Sequence, residues 1–177
     1  GISFRLMPLG RAGVALSIAA GKDGRMFAGG ARTFGEVIDD PIGVLLYQPL
    51  ESRLAPEDRN FSDVWQTLVS KDGIAYFRSP ERLLALRNSE TRAFKPAGRF
   101  SAIALVDDVL YAHDSGAGLV RLEAAGVSSV AGGESLKGIR VTALVAGEGG
   151  AVIIGTQDAG LTWRIVSKSP VINKLKQ

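Results

Sequence analysis

The chain of 177 residues contains no cysteine and a single histidine, His113. Disulfides and thiolate metal sites are thereby excluded, and a zinc site would lack its usual ligands. Excess charge is also small, because 21 Lys and Arg against 18 Asp and Glu leave a net charge of +3. No run of five basic residues occurs, so we expect no nucleic-acid partner.

Long hydrophobic runs are missing too. Residues 14–20 form an apolar stretch, but a membrane-spanning helix needs roughly 20 apolar residues. We therefore expect no membrane insertion within this chain. The sequence also lacks a phosphate-binding glycine loop and a nucleophile elbow. Adjacent carboxylates such as Asp39-Asp40 are interpreted as turn residues, so neither a metal site nor a cofactor is predicted.

Glycine, by contrast, is abundant and marks a repeated pattern. The 22 Gly exceed the roughly 7% share of an average protein. Four stretches contain an apolar strand, a small or acidic turn such as Asp23-Gly24 or Asp72-Gly73, and a second apolar strand. Asp-Gly between alternating strands indicates a β-hairpin, because both turn residues must tolerate positive φ. The four stretches are residues 17–29, 66–77, 102–112 and 141–155.

The repeat has the length of a β-propeller blade. Equivalent apolar residues lie about 35 to 49 residues apart along the chain, and blades are roughly 40–50 residues long. A third strand follows each hairpin, and a weaker fourth strand follows at least two of them. The third strands are predicted at residues 43–47, 83–87, 118–122 and 161–166, and the fourth strands at 91–94 and 127–130.

The sequence therefore predicts an all-β fold, a β-propeller of about four blades with four antiparallel strands each. A β-sandwich with coincidental spacing is the alternative. Four blades are few for a closed ring, so we expect either a portion of a larger ring or a half-ring that associates with itself. The blades are expected near residues 14–61, 62–99, 100–138 and 139–177, with extra outer strands in residues 1–13 and 171–176.

The fourth unit is similar to a known repeat. Residues 141–144, 149–156 and Gly160-Leu161 resemble the repeat of two-component regulator propellers. The third unit resembles it through residues 114–119, whereas residues 78–80 of the second unit depart from it. Those propellers are ligand-binding sensor regions of many bacterial receptors. The resemblance implies a sensor in signal transduction, with a periplasmic or extracellular location.

A second motif overlaps the first. Residues 156–163, Thr-Gln-Asp-Ala-Gly-Leu-Thr-Trp, resemble an Asp-box, a turn found in sialidase-like and other propellers. The resemblance implies that Asp158 and Thr satisfy backbone groups of the turn, that Gly160 takes positive φ, and that Trp163 packs between sheets. The motif is a structural device, so it indicates architecture rather than catalysis.

Function is expected at the loops that join the second and third strands of each blade, on one face near the axis. These loops are predicted at residues 31–42, 78–82, 113–117 and 156–159, and the first is much the longest. Charged side chains there could bind an anionic or sugar ligand. A solvated loop and a surface histidine are the alternatives. The candidate ligand-binding residues are Arg32, Glu36, Asp39, Asp40, Arg78, Glu81, His113 and Asp114.

The favoured interpretation is a non-enzymatic module that binds a small molecule, a glycan or a protein, in the sensor portion of a bacterial receptor. A carbohydrate-active, sialidase-like enzyme is one alternative, for which Glu36, Asp39 or Asp40 would supply the carboxylates. A scaffold for complex assembly that uses blade edges as its interface is the other alternative.

Overall fold

The computed structural model describes Leu9, residues 13–123 and residues 126–165. Within these residues the chain is all-β, with fifteen strands in four antiparallel sheets. The outer strands predicted in residues 1–13 and 171–176 lie, apart from Leu9 and Gly13, outside the described residues. The predicted fold class is confirmed, and each sheet is one blade of the repeat.

The strands of every blade follow one another in chain order, as a propeller blade requires. The first blade contains β1 (Ala15–Ala20), β2 (Met26–Gly30), β3 (Thr33–Asp39) and β4 (Leu45–Pro49). The second contains β5 (Gln66–Val69), β6 (Ala75–Arg78), β7 (Leu83–Arg87) and β8 (Glu90–Phe94). The third contains β9 (Phe100–Val106), β10 (Val109–Asp114), β11 (Gly118–Glu123) and β12 (Gly126–Ser129). The described part of the fourth contains β13 (Val141–Ala146), β14 (Ala151–Thr156) and β15 (Gly160–Ile165). Short 3₁₀ turns lie at Glu51–Arg53, Pro56–Asp58, Gly133–Leu136 and Glu148–Gly150.

The first blade departs from the sequence prediction, because residues 31–42 are not a long loop. A two-residue turn that ends at Arg32 joins β2 to β3, and β3 then runs through most of the supposed loop. The strand predicted third at residues 43–47 is consequently the fourth. Glu36 made the segment resemble a loop, but its carboxylate pairs with Arg25, whose Nε lies 2.7 Å from Oε1. A paired charge can occupy a strand that an isolated charge would disfavour.

The hairpin turns confirm the predicted pairing, but the two Asp-Gly turns do not have the predicted geometry. Asp107 and Asp108 both have positive φ, 48° and 63°, as a two-residue type I′ turn requires. In the Asp-Gly turns of the first and second blades, only the glycines, Gly24 and Gly73, have positive φ, at 83° and 81°. Gly24 N donates to Gly21 O at 3.1 Å, which is a type I turn followed by a left-handed glycine. The Asp-Gly signal therefore located these hairpins through glycine alone.

The described chain divides into two compact units, the first ending at Phe100 and the second starting at Ser101. In the first unit, one face of the first blade packs on one face of the second. Phe77 is its centre, with its ring centroid 6.2 Å from that of Phe27 and 4.9 Å from that of Phe34. All three rings are fully buried. Such aromatic pairs add about 0.5–1.5 kcal/mol to the stability that burial provides.

The second unit repeats this arrangement with smaller side chains. Tyr111 and Leu119 of the third blade belong to one buried cluster with Leu144, Val152 and Ile154 of the fourth. Because strand side chains alternate between faces, only one face of the fourth blade takes part in this cluster.

Candidate functional site

An open cleft of about 340 Å³ lies at one end of the first unit. Three chain segments form it: the β2–β3 turn, the connection that precedes β5, and the β6–β7 loop. Two of the eight predicted site residues, Arg32 and Glu81, meet there, although they are far apart in sequence. The cleft is lined by Arg32, Asn60, Phe61, Ser62 and Glu81.

Arg32 supplies the positive charge of the cleft. It is exposed, at the tip of the β2–β3 turn, with φ of 57°, a conformation that few non-glycine residues adopt. The hairpin fixes the position of its backbone. Within the part of the chain that the structure describes, its guanidinium makes no hydrogen bond and no ion pair. Its donors are therefore available to a ligand.

Glu81 supplies the negative charge, and its carboxylate is held in place. Its Oε2 accepts from Ser62 N at 3.0 Å and from Ser62 Oγ at 2.8 Å. Arg99 Nη2 lies 3.1 Å from Oε1. Desolvation raises the pKa of Glu81, but the Ser62 hydrogen bonds and the Arg99 charge together lower that pKa below its ordinary value. The group is thus a carboxylate at neutral pH, and it acts only as an acceptor.

Ser79 positions the loop that carries Glu81. Ser79 N donates to Arg82 O at 2.9 Å, and Arg82 N donates to Ser79 Oγ at 3.0 Å. Arg82 Nε in turn lies 3.2 Å from an oxygen of Asp58. Ser79 is fully buried. These bonds close the loop tightly and direct Glu81 toward the connection that contains Ser62.

Sequence reasoning missed the lining residues Asn60, Phe61 and Ser62. Their segment follows the first blade and reads as an ordinary polar connection. A usable signal was the presence of three apolar residues, Leu54, Phe61 and Val64, in this connection. All three are buried in the core of the first unit. An apolar residue that anchors a connection also fixes the polar side chains on either side of it.

Arg78 lies in β6, where it is buried rather than placed in a loop. Its Nη1 donates to Phe100 O at 3.2 Å. Its Nε has no hydrogen-bond partner among the described residues. Burial lowers the pKa of Arg78 to about 10, so the guanidinium remains charged at neutral pH. It does not line the cleft.

His113 and Asp114 also lie in a strand, β10, and not in a surface loop. His113 is buried between Ser101 Oγ, 2.6 Å from Nδ1, and Leu136 O, 2.9 Å from Nε2. Because a carbonyl only accepts, Nε2 carries the proton. Asp114 is buried and accepts from Gly116 N at 2.8 Å, which closes the following turn. The loop location predicted for both residues was wrong.

Glu36, Asp39 and Asp40 are remote from the cleft. Glu36 accepts two hydrogen bonds from Arg25 across the first blade. Asp40 stabilises a turn, since its Oδ1 accepts from Ile42 N at 2.9 Å and Val44 N at 2.7 Å. Asp39 ends β3, whose length of about 20 Å separates it from the β2–β3 turn. The structure therefore does not bring these carboxylates to Arg32.

A second cavity, of about 550 Å³, lies on the fourth blade and is mostly apolar. The turn resembling an Asp-box borders it. Gly160 has φ of 69° there, as predicted, and Thr156 Oγ1 accepts from Ala159 N at 3.1 Å. The predicted packing of Trp163 between sheets was wrong, because its side chain is 67% exposed. The cavity is lined by Gly147, Glu148, Gly149, Ala151, Ile153, Leu161, Thr162 and Trp163.

Within residues 9, 13–123 and 126–165, no three His, Asp or Glu side chains are grouped so that they could hold a metal ion. Nor do the described residues include a helix with the length and apolar character needed to cross a membrane.

Solved structures that resemble this chain identify the fold. The WD40 repeats of RRP9 align with a TM-score of 0.60 at 15% identity, over 80% of this chain and 44% of that one. Virginiamycin B lyase from Staphylococcus aureus, solved with quinupristin, aligns with a TM-score of 0.58 at 15% identity, over 92% and 58%. The computationally designed Ika4 protein aligns with a TM-score of 0.59 at 15% identity, over 94% and 100%.

These similarities establish a β-propeller-type fold, and at such low identity they establish the fold alone. The chain spans less than two thirds of the lyase and of the WD40 protein. No protein-family model and no curated protein matches this sequence. The resemblances to sensor repeats and to the Asp-box therefore stay predictions.

Proposed function

We propose that this chain is a non-enzymatic propeller module that binds a small organic anion with hydroxyl groups, such as a sugar acid, in the cleft of Arg32 and Glu81. The observation that carries the proposal is a free guanidinium beside a carboxylate held in its charged form. A carboxylate of the ligand would pair with Arg32, the strongest hydrogen-bonding geometry available there. Ligand hydroxyls would donate to Glu81, whose oxygens have further acceptor capacity.

Asn60 supports the same choice of ligand. It is exposed in the cleft, and its amide can both donate and accept. A site with a cation, an acceptor and an amide matches a ligand that carries an acid group next to hydroxyl groups. A purely apolar ligand would leave all three groups unpaired, which costs binding free energy.

The cleft favours binding over catalysis. A glycosidase of the usual type needs one carboxylic acid with a raised pKa and a second carboxylate at a short distance. Glu81 has a lowered pKa, so it is poorly suited to donate a proton. It is also the only carboxylate that lines the described cleft. The carboxylates proposed for the enzymatic alternative lie elsewhere. Glu36 pairs with Arg25, Asp39 ends β3, and Asp40 closes a turn.

The sensor role and the periplasmic or extracellular location remain part of this proposal. They are supported by the similarity of residues 141–156 to two-component regulator propellers. Of the solved propellers that resemble the chain, one is named as a lyase and another as WD40 repeats. Both kinds of protein use this fold, so the choice between them depends on the cleft.

Isothermal titration with D-glucuronate tests the proposal, with D-glucose as the matched neutral ligand. We expect saturable binding of glucuronate and none of glucose. Arg32→Ala should weaken the binding about 10- to 100-fold, because a charge-assisted pair contributes roughly 1.5–3 kcal/mol. The control is Arg87→Ala, which removes an exposed arginine from the opposite end of β7. It should leave the affinity unchanged.

Two results would overturn the proposal. One is the absence of binding for glucuronate, gluconate and inorganic phosphate alike at millimolar concentration. The other is turnover of a glycoside that Glu36→Gln or Asp40→Asn abolishes while the protein stays folded. The second result would establish the enzymatic alternative.

A further inference from the structure

The cavity on the fourth blade shares no residue with the cleft of Arg32 and Glu81 and has a different chemistry. Its volume of about 550 Å³ falls within the roughly 300–1,000 Å³ that is usual for small-molecule sites in proteins. One side of it is the surface of β14 and β15, and the other side is the turn that joins β13 to β14. We call it the fourth-blade cavity.

The sheet side of the fourth-blade cavity is an apolar surface. Ile153 pairs with Trp163 across β14 and β15, so their side chains are neighbours on one face of the sheet. Leu161 lies two residues before Trp163 and shares that face. Trp163 and Leu161 are 67% and 81% exposed. The indole ring thus offers a ligand a flat apolar surface that also attracts cations.

The turn side contributes a single side chain, that of Glu148, because glycines flank it on both sides. Gly147 packs closely on the sheet, and an added Cβ there would lie 3.2 Å from Ile153 Cγ1. Gly149 follows Glu148 and also lines the cavity. A ligand that rests on the sheet therefore meets the backbone of this turn and the carboxylate of Glu148.

The carboxylate of Glu148 is available to a ligand. Glu148 is exposed, and within the part of the chain that the structure describes it makes no hydrogen bond and no ion pair. Among the described residues that line the cavity, no other side chain carries a charge. Its oxygens accept hydrogen bonds but donate none. The cavity therefore combines one negative charge with an apolar, aromatic surface.

This combination selects among ligand classes by charge. An anionic ligand would be repelled by Glu148. A neutral apolar ligand would gain nothing from the carboxylate and would remove part of its water, which costs free energy. A cationic ligand gains twice, because both the carboxylate and the ring of Trp163 attract it.

We propose that the fourth-blade cavity binds a small organic cation with an apolar body, of which an aralkylammonium ion is the simplest example. The ammonium group lies at Glu148, and the apolar body covers Ile153, Leu161 and Trp163. This site is independent of the proposed sugar-acid cleft. The two sites select ligands of opposite charge.

Three probes with the same phenyl ring and different charge test the proposal. They are the 2-phenylethylammonium ion, neutral 2-phenylethanol and anionic 3-phenylpropionate. We expect the affinity to fall in that order, with the ammonium ion favoured about 3- to 10-fold over the alcohol. Saturation-transfer NMR measures each affinity. In Trp65→Phe, Trp163 is the only tryptophan, so a change in fluorescence on titration places the probe at the cavity.

Two variants separate the contributions of charge and ring. Glu148→Gln should reduce the affinity for the ammonium ion to that for the alcohol and leave the alcohol unaffected. Trp163→Ala should weaken both about 5- to 10-fold, because each probe loses the ring on which its phenyl group lies. The matched control is Glu90→Gln, which removes an exposed carboxylate at the start of β8, outside the cavity. Far-UV circular dichroism of each variant checks that the sheets are intact.

Three results contradict the proposal. The first is the absence of ammonium binding at millimolar concentration. The second is equal affinity for the ammonium ion and the alcohol, since Glu148 would then play no part in selection. The third is ammonium binding that Glu148→Gln and Trp163→Ala both leave intact, because the probe would then lie outside the fourth-blade cavity.

Discussion

The second and fourth blades are built from the same local pattern but differ in what surrounds them. In the second blade, Phe77 on one face and Tyr76 on the other are both buried. In the fourth blade, Ile154 is buried, whereas its neighbour Ile153 is partly exposed and Trp163 is largely exposed. The described strands of the two blades nonetheless follow one another in the same order. The repeat therefore determines how a blade forms, while packing against other surfaces determines how much each side chain stabilises it.

The largest expected difference between the two blades concerns their aromatic side chains. Phe77→Ala should lower the free energy of unfolding by about 3–5 kcal/mol, because it leaves a cavity beside Phe27 and Phe34. Trp163→Ala should change it by less than about 0.5 kcal/mol, since 67% of the side chain is exposed. Urea denaturation of both variants gives the comparison. Similar losses would show that Trp163 is packed as closely as Phe77.

A smaller difference is expected where each second strand ends. Ser79→Ala should cost about 1–3 kcal/mol, because Arg82 N would lose the fully buried Ser79 hydroxyl as its hydrogen-bond partner. Thr156→Ala should cost about 0.5–1 kcal/mol, since water can replace its bonds to Ala159 and Gly160. Chemical denaturation measures both losses. The reverse order would contradict the assignment of Ser79 as the residue that positions the Glu81 loop.

The lowered pKa of Glu81 predicts that the stability of the fold depends on pH. Its pKa is lowered in the folded state, so its ionised form stabilises the fold at pH values above its unfolded pKa of about 4.3. That contribution is lost as the pH falls through the lower folded value. Denaturation midpoints measured from neutral to acid pH should converge for the wild type and Glu81→Gln. Parallel curves would mean that the carboxylate is not held by Ser62 and Arg99.

The smallest expected difference concerns the hairpin glycines, which act through local geometry alone. Gly73 and Gly149 both have positive φ, 81° and 64°, and a Cβ on either would meet no close neighbour. Replacing each with Ala should cost about 1 kcal/mol in both blades, because the left-handed backbone is the only penalty. Denaturation of the two variants should therefore agree. A clearly larger loss for Gly73→Ala would show that burial affects the turn as well.

The sequence predicted what local geometry decides. Gly24, Gly73 and the Asp107-Asp108 pair located three hairpins, and alternating apolar residues located the strands that flank them. It failed on β3, because the charge of Glu36 is neutralised by Arg25 from the strand beside it. Pairing between strands is a feature of the sheet, and no single stretch of sequence displays it.

The candidate site was only partly predictable for a related reason. Arg32 and Glu81 were identified from loop positions, but their meeting depends on the anchor Phe61 and on Ser62, which belong to neither loop. His113 was misplaced because its burial is set by Ser101 and by a backbone carbonyl of a distant turn. Contacts of this kind arise from tertiary packing, where the sequence pattern carries little information.

Ser79, Asp114 and Thr156 occupy one equivalent position, where each side-chain oxygen accepts a backbone hydrogen of the turn that follows. The two or three residues beyond that position are therefore not required to close the turn itself. Loops of new composition can be grafted there with the flanking strands left unchanged. The blades thus form a tolerant display framework, in which new binding specificities can be selected without redesign of the fold.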